Sequence, residues 1–168
     1  LKKQESRQKF ISKMRPDFEQ NLPICAKMII ISFKFLAKPE ACDQIEPIMR
    51  SIEEKYPDVK RITIGFTFYR AVVLVKNDIE EIQSNLIVSL KFVEEIIEKL
   101  GNVACGAMTW GEVIITPLVE SEVVSVVCGE AVDRCENFLL SGEFGKCAVD
   151  NDILIGSQIE SPFFVSMK

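Results

Sequence analysis

The segment after the apolar run at 123–128 concentrates the side chains of this chain that could do chemistry. Gly129 ends that run, and a helical pattern follows with Glu130, Asp133, Arg134, Glu136 and Asn137 as its ionisable and amide side chains. Asp133 and Glu136 are candidates for acid–base chemistry, and the helix N-terminus at Gly129 favours an anion, although Glu130 in the first turn competes with it. Because Arg134 lies beside Asp133 and no other titratable cluster is apparent, a solvated helix face is the stronger prediction.

The remaining reactive residue types exclude most familiar active sites. The chain has no histidine, which excludes Ser–His and Cys–His nucleophiles and most zinc-site patterns. Cys105, Cys128 and Cys147 lie in apolar strand-like runs without CxxC spacing, so buried thiols in a reducing compartment are predicted. The GEFGK run at 142–146 lacks the P-loop spacing and predicts a loop into a strand. Trp110, beside a predicted strand turn, is expected to pack in the core or at a dimer interface.

Composition and charge are those of an ordinary globular domain. The chain has 168 residues, of which 48% are hydrophobic and 27% charged, enough for one domain with a normal core. A net charge of −5 argues against a nucleic-acid binder. No apolar run approaches a membrane span and no signal peptide is visible. We therefore expect a cytoplasmic domain without membrane contact of its own. Because the chain opens on Leu, we expect a fragment of a longer protein, and a membrane-anchored parent stays open.

Hydrophobic periodicity assigns the elements that position these residues. A first helix is predicted over 3–20, with Phe10, Met14 and Phe18 spaced four apart and with Pro16 and Pro23 interrupting the pattern. The other predicted helices cover 43–55, 78–100 and 130–140, and the predicted strands cover 25–36, 59–65, 67–75, 103–109, 112–118, 122–128 and 147–149. This order predicts an α+β sandwich of the ferredoxin-like kind, with a mostly antiparallel sheet and flanking helices.

Four stretches of the sequence carry a family resemblance. KRITIGFTFYRAVVLV (60–75) matches the pattern K-x-x-T-I-G-D up to Gly65, and CGEAVDRCENFLLSGEFGKCAV (128–149) resembles G-x-x-V-N-x-A-x-R followed by G-x-I-x-V. CGAMTWGEVI (105–114) is similar to the strand pair R-x-G-x-x-x-G-x-V, and ESRQKFISKMRPDFEQNL (5–22) is similar to a coupling helix. Together they resemble the class III adenylyl and guanylyl cyclase domain. The resemblance implies a coupling helix over 1–22, a cyclase-homology domain over 23–168, and Gly65 and Gly129 as motif glycines.

The chemistry that the resemblance implies is the cyclisation of a nucleoside triphosphate, in which the ribose 3′-hydroxyl attacks the α-phosphate. Divalent metals hold the charge in that family, and two aspartates ligate them because hard cations take anionic oxygen ligands. The first-strand position falls in ISFKFL (31–36), which has no carboxylate, and the hairpin position is Phe66. No metal and no cofactor are therefore expected.

The other functional positions of the family's site also have different residue types in this chain. The purine-reading positions correspond to Ile62 and Val126, whose apolar side chains cannot hydrogen-bond a base edge. The transition-state Asn and Arg correspond to Asp133 and Asn137. A carboxylate repels a polyphosphate, and the loss of arginine removes its bidentate grip. No catalytic and no nucleotide-binding residue is therefore expected.

The sequence thus favours a degenerate, catalytically inactive cyclase-like domain that acts as a dimerisation, regulatory or structural module in cyclic-nucleotide-type signalling. Since the family works as dimers, the expected partner is a second copy or another cyclase-type domain. Two alternatives stay open. One is an active but divergent cyclase that converts ATP or GTP and whose ligands lie outside this register, and the other is an unrelated ferredoxin-like regulatory domain.

Overall fold

The computed structural model describes residues 24–64, 68–75, 78–117 and 125–168. The strands are β1 (Ile24–Phe35), β2 (Lys60–Ile64), β3 (Phe68–Leu74), β4 (Ala104–Pro117), β5 (Ser125–Cys128), β6 (Cys147–Asp150) and β7 (Phe164–Met167). The helices are α1 (Pro39–Glu53), α2 (Ile79–Leu100), α3 (Glu130–Leu140) and α4 (Asn151–Ser157), and a short 3₁₀ turn (Gly101–Val103) follows α2.

The described strands form one sheet in the order β2-β3-β1-β4-β6-β7, and β5 pairs with the far half of β4. Only the β4–β6 and β6–β7 pairs are parallel. The long β1 lies at the centre, antiparallel to β3 on one side and to β4 on the other. The predicted α+β class with a mostly antiparallel sheet and flanking helices is confirmed.

Helices cover both faces of the sheet, so the core has two parts. The larger part packs one face of β1, including Ile29, Ile31 and Phe33, against α1, α2 and α4. The smaller part packs the opposite face, including Met28 and Ile30, against α3. Successive side chains of a strand point to opposite faces, which is why β1 is apolar at every position from 28 to 31.

Most of the predicted elements lie within a few residues of the observed ones, but β4 differs. The prediction placed two strands at 103–109 and 112–118, with Trp110 beside the turn, whereas the structure has one strand through Gly111. The strand is continuous because β1 pairs with it along its length, with Met28 opposite Gly111 and Ile29 opposite Trp110. Gly111 lets α3 approach, since a Cβ at Gly111 would lie 3.3 Å from the Cβ of Ala131.

Four other outcomes concern the C-terminal part, the N-terminal part and the hairpin of the chain. Helix α4 was not predicted, and the predicted tail around Phe163 to Val165 overlaps strand β7. The predicted helix over 3–20 lies outside the described residues. So does the hairpin glycine Gly65, together with Phe66.

Candidate functional site

The signature helix α3 starts at a glycine whose backbone conformation and surroundings both require it. Gly129 has φ +140°, and a Cβ at this position would lie 2.8 Å from the carbonyl oxygen of Glu112. A side chain would therefore force α3 away from β4. The hydroxyl of Thr109, also on β4, donates a hydrogen bond of 2.6 Å to the carbonyl of Ala131. The glycine thus has a packing function that is independent of any ligand.

The two sides of α3 differ sharply. Its buried residues are Ala131, Val132, Cys135 and Leu139. Asp133 and Asn137, which the resemblance aligns with the family's transition-state positions, lie one helical turn apart on the exposed side. The solvated face predicted for Asp133 is therefore observed.

Glu136 departs from that prediction, because it forms an ion pair with Arg70 of β3. The Arg70 side chain is only 14% exposed, and Glu136 is 47% exposed. The guanidinium also donates a 3.3 Å hydrogen bond to the Ser32 hydroxyl on β1, and it stacks 5.1 Å from the ring centroid of Phe68. Burial lowers the pKa of Arg70. Arg70, which is 66 positions away in sequence, thus neutralises the charge of Glu136. No local spacing in the sequence predicts such a pair.

Strand β1 presents two polar side chains to the α3 side of the sheet near its end. Ser32 is fully buried and lies opposite Arg70 on β3. Lys34, two residues further along the same face, holds its ammonium 5.4 Å from the ring centroid of Phe144. This region contains the first-strand metal position that the resemblance implies. A hydroxyl and an ammonium stand there on the α3 side, and neither is an anionic ligand for a hard cation.

The structure describes only some of the other positions that the resemblance aligns with the family's site. Ile62 is half-buried and packs against the smaller core, so it lies on the α3 side of the sheet with Ser32 and Lys34. Val126 lies in β5, and its side chain is outside the described residues, as is Phe66. The β1, β2 and α3 positions that the resemblance aligns with the family's site therefore lie on one side of the sheet.

Arg134 takes a different partner from the adjacent Asp133. Its guanidinium donates to the carboxylate of Asp150 at 2.7 Å and to the carbonyl of Trp110 at 3.0 Å. The backbone N–H of Trp110 donates to the same carboxylate at 3.2 Å. The hydrogen bond to Asp150 raises the pKa of Arg134. Arg134 and Asp150 therefore satisfy the backbone of β4 where the pairing with β6 ends, so this arginine is engaged in the fold.

The cysteines divide into buried and exposed groups. Cys105, Cys135 and Cys147 are fully buried, and burial raises the pKa of each thiol, that of Cys135 to about 11. The prediction was wrong for Cys128, which is exposed. Cys128 lies on β5, which pairs with β4 and with no other of the described strands, and Cys128 is opposite the exposed Ile114. Within the described ranges, no group of three or more His, Cys, Asp or Glu side chains could hold a metal ion.

A separate, partly buried ion-pair network ties helix α1 to the β2–β3 hairpin. Arg61 of β2 donates to Glu46 at 2.8 Å and to Glu53 at 2.9 Å, and both glutamates belong to α1. The hydroxyl of the buried Tyr69 donates to Glu53 at 3.1 Å. This network was not predicted from the sequence, although the seven-residue spacing of the two glutamates places them on one face of α1.

None of the described helices is long and apolar enough to cross a membrane. No family model matches the chain, and no curated protein matches its sequence.

Solved structures with a similar fold include nucleotide cyclase domains. The adenylyl cyclase CyaB from P. aeruginosa matches with a TM-score of 0.67 at 7% identity, over 82% of this chain and 83% of that one. The dimeric guanylyl cyclase domain of the RhoGC fusion protein from the aquatic fungus Blastocladiella emersonii matches with a TM-score of 0.63 at 10% identity, over 82% and 87% of the two chains. That domain has also been crystallised as a monomer. The guanylyl cyclase Cya2 matches with a TM-score of 0.58 at 10% identity, over 80% and 79%. The chain therefore has the fold of class III adenylyl and guanylyl cyclase catalytic domains.

Proposed function

We propose that this chain is a cyclase-fold domain that does not cyclise nucleotides and that works as a dimerisation or regulatory module. The observation that carries the proposal is the pair Ser32 and Lys34 on the α3 side of β1. The resemblance requires a carboxylate in this strand to hold the metals, because the reaction develops negative charge on the phosphates. The Lys34 ammonium repels a divalent cation, so the residues present do not fit the metals.

The charges on α3 support the same proposal. The transition state of a phosphoryl-type reaction needs cationic donors that are free to bind oxygen atoms of the substrate. On this side of the sheet, Arg70 is paired with Glu136 and Arg134 with Asp150. Asn137, which corresponds to the family's arginine, carries no charge. These two arginines are thus used to hold α3 against the sheet.

A direct activity measurement tests this proposal. The purified chain is incubated with ATP or GTP and Mn²⁺, alone and mixed with an active cyclase domain, and cyclic nucleotide is quantified by chromatography. We expect no product above that of the added cyclase. Turnover by the chain that is lost in the Asp133→Ala variant, but kept in a matched Ser141→Ala variant, would refute the proposal in favour of a divergent enzyme.

Thermal unfolding gives an independent readout of nucleotide binding. A ligand at a hundred times its dissociation constant stabilises a protein by about 2.7 kcal/mol. That stabilisation corresponds to a rise in Tm of roughly 5–10 °C for a domain of this size. We expect Mn²⁺ with ATP or GTP to shift Tm by less than about 1 °C. A shift in the larger range would contradict the absence of a nucleotide site.

The dimerisation part of the proposal is tested by sedimentation velocity. We expect the chain to form a dimer with itself or with an added cyclase domain. A chain that sediments as a monomer at every concentration, and that stays a monomer when mixed with cyclase domains, would contradict this part and leave a structural role within one polypeptide.

A further inference from the structure

Asp133 is the one charged side chain of α3 that forms no ion pair within the part of the chain that the structure describes. On the same helix, Glu130 pairs with Arg134 at 3.5 Å, and Glu136 pairs with Arg70 of β3. Asp133 is exposed, and the buried residues of α3 place it on the side of the helix that faces away from the sheet. Its carboxylate is therefore free to meet a cation from outside the chain.

Lys34 is a matching cation on the same side of the sheet. It is half-buried near the end of β1, opposite Phe68 of β3 and Cys105 of β4. Its ammonium lies 5.4 Å from the ring centroid of Phe144, and no carboxylate of the described residues forms an ion pair with it. A charge that has lost part of its hydration is normally paired, and an aromatic face compensates for that loss only in part. Lys34 is therefore suited to bind an anionic side chain.

A surface with one unpaired cation and one unpaired anion is complementary to a second copy of itself. In a two-fold dimer, a residue that contacts another across the interface makes the same contact twice, once from each subunit. The shape of this surface allows such a contact. Helix α3 stands on β1 and β4 as a ridge with Asp133 on its outer side, whereas Lys34 belongs to the sheet itself. The outer side of one helix can therefore meet the sheet of the other copy.

We propose that two copies of this chain associate through the α3 side of the sheet, and that Lys34 of each copy pairs with Asp133 of the other. The inference rests on the dimerisation part of the proposed function and adds the surface and the partner. The charges favour a second copy, because an unrelated partner can match either charge, whereas an identical chain always presents both at the matching spacing. Complementary charges of this kind fix the register of an interface.

Charge reversal tests this pairing in the full chain, by sedimentation velocity over a concentration series. Lys34→Glu and Asp133→Lys should each raise the dissociation constant of the dimer about a hundredfold or more, because each change places like charges at both contacts. An equimolar mixture of the two variants should form a dimer again. In that mixed dimer one contact is of the wild-type kind and the other has both charges reversed, so both contacts are attractive.

The matched controls make the same changes of charge on the opposite side of the sheet. They are Glu54→Lys beside α1 and Lys91→Glu on α2, both at exposed positions. We expect both controls to keep the dissociation constant of the wild type. Circular dichroism checks the fold of each variant, and recovery of the dimer in the mixture shows independently that the two reversed variants are folded.

Three results would overturn the proposal. The first is reversed variants that associate as tightly as the wild type, and the second is a mixture in which no dimer returns. The third is a wild-type chain that is a monomer at every concentration. These failures are distinguishable from failure of the proposed function. A dimer that survives both reversals, or binding of an added cyclase domain by a monomeric chain, would leave the dimerisation role standing without this ion pair.

Discussion

Replacing Arg61 by Met should destabilise the fold far more than replacing Arg70 by Met, although both arginines are similarly buried. The side chains are 22% and 14% exposed. The difference lies in the carboxylate that each substitution leaves behind. Arg61→Met leaves Glu53, which is 16% exposed beside Tyr69, whereas Arg70→Met leaves Glu136, which is 47% exposed and can be hydrated.

The magnitudes follow from that contrast. Removing one partner of a buried ion pair costs roughly 3–5 kcal/mol. Because the Tyr69 hydroxyl still donates to Glu53 and the site is not fully dry, we expect about 2–3 kcal/mol for Arg61→Met. An exposed pair contributes about 0–1 kcal/mol, which is our expectation for Arg70→Met. For a domain of this length, these values correspond to a loss in Tm of about 4–12 °C against less than about 4 °C.

Urea unfolding followed by the fluorescence of Trp110, the one tryptophan of the chain, measures both variants. Equal losses in the free energy of unfolding, or a larger loss for Arg70→Met, would refute the assignment of the cost to the buried carboxylate left behind.

The pH dependence of the same comparison supplies a second check. Burial raises the pKa of Glu46, but the hydrogen bonds and charges of Arg61 and Arg50 outweigh it, so the net pKa lies below the ordinary value of 4.5. A carboxyl with a lowered folded pKa stabilises the fold above its unfolded pKa and loses that contribution as the pH falls through the folded value. The gap between the wild type and Arg61→Met should therefore shrink below pH 4.5. A gap that stays constant on acidification would contradict an ionic origin.

Two further predictions concern α3 and the buried thiols. Gly129→Ala should cost about 1–3 kcal/mol in urea unfolding, because it places a Cβ against the Glu112 carbonyl at a φ that L residues avoid. An equal loss in the exposed Ser141→Ala control would contradict that cause. Cys105, Cys135 and Cys147 should resist a disulfide reagent in the native protein, because burial raises the pKa of each thiol and blocks access. Reaction of any of them at the rate of the urea-unfolded chain would contradict this.

The elements that could be predicted are those with local, periodic signals. The helix predicted over 78–100 is α2 (Ile79–Leu100), and its N-cap Asp78 accepts a 3.0 Å hydrogen bond from the N–H of Glu80. The helix predicted over 130–140 is α3 with the same bounds. Each helix has a continuous apolar stripe, and the residue that marks its start, a cap or a glycine, directly precedes that stripe. One continuous sequence window therefore contains the whole signal.

The features that could not be predicted depend on residues far apart in the chain. Gly111 indicates a break in a sequence window, but pairing with β1 makes β4 continuous through it. The Arg70–Glu136 pair spans 66 residues and the Arg134–Asp150 pair spans 16. From the sequence, Arg134 was associated with Asp133, because the two residues are adjacent. In the tertiary structure, Arg134 forms its ion pair with Asp150.

The residues that make α3 recognisable in sequence are also those that its packing requires. Gly129 permits the approach to β4, and Val132 is buried at the position where the motif has valine. Asp133 and Asn137, at the positions where the resemblance implies substrate contact, are exposed, so burial does not constrain their side chains. Stability can therefore preserve the fold and half of the motif while the chemical half changes. The likeness to cyclase domains at 7–10% identity shows the fold alone, so activity must be tested at the exposed positions and cannot be inferred from the glycine.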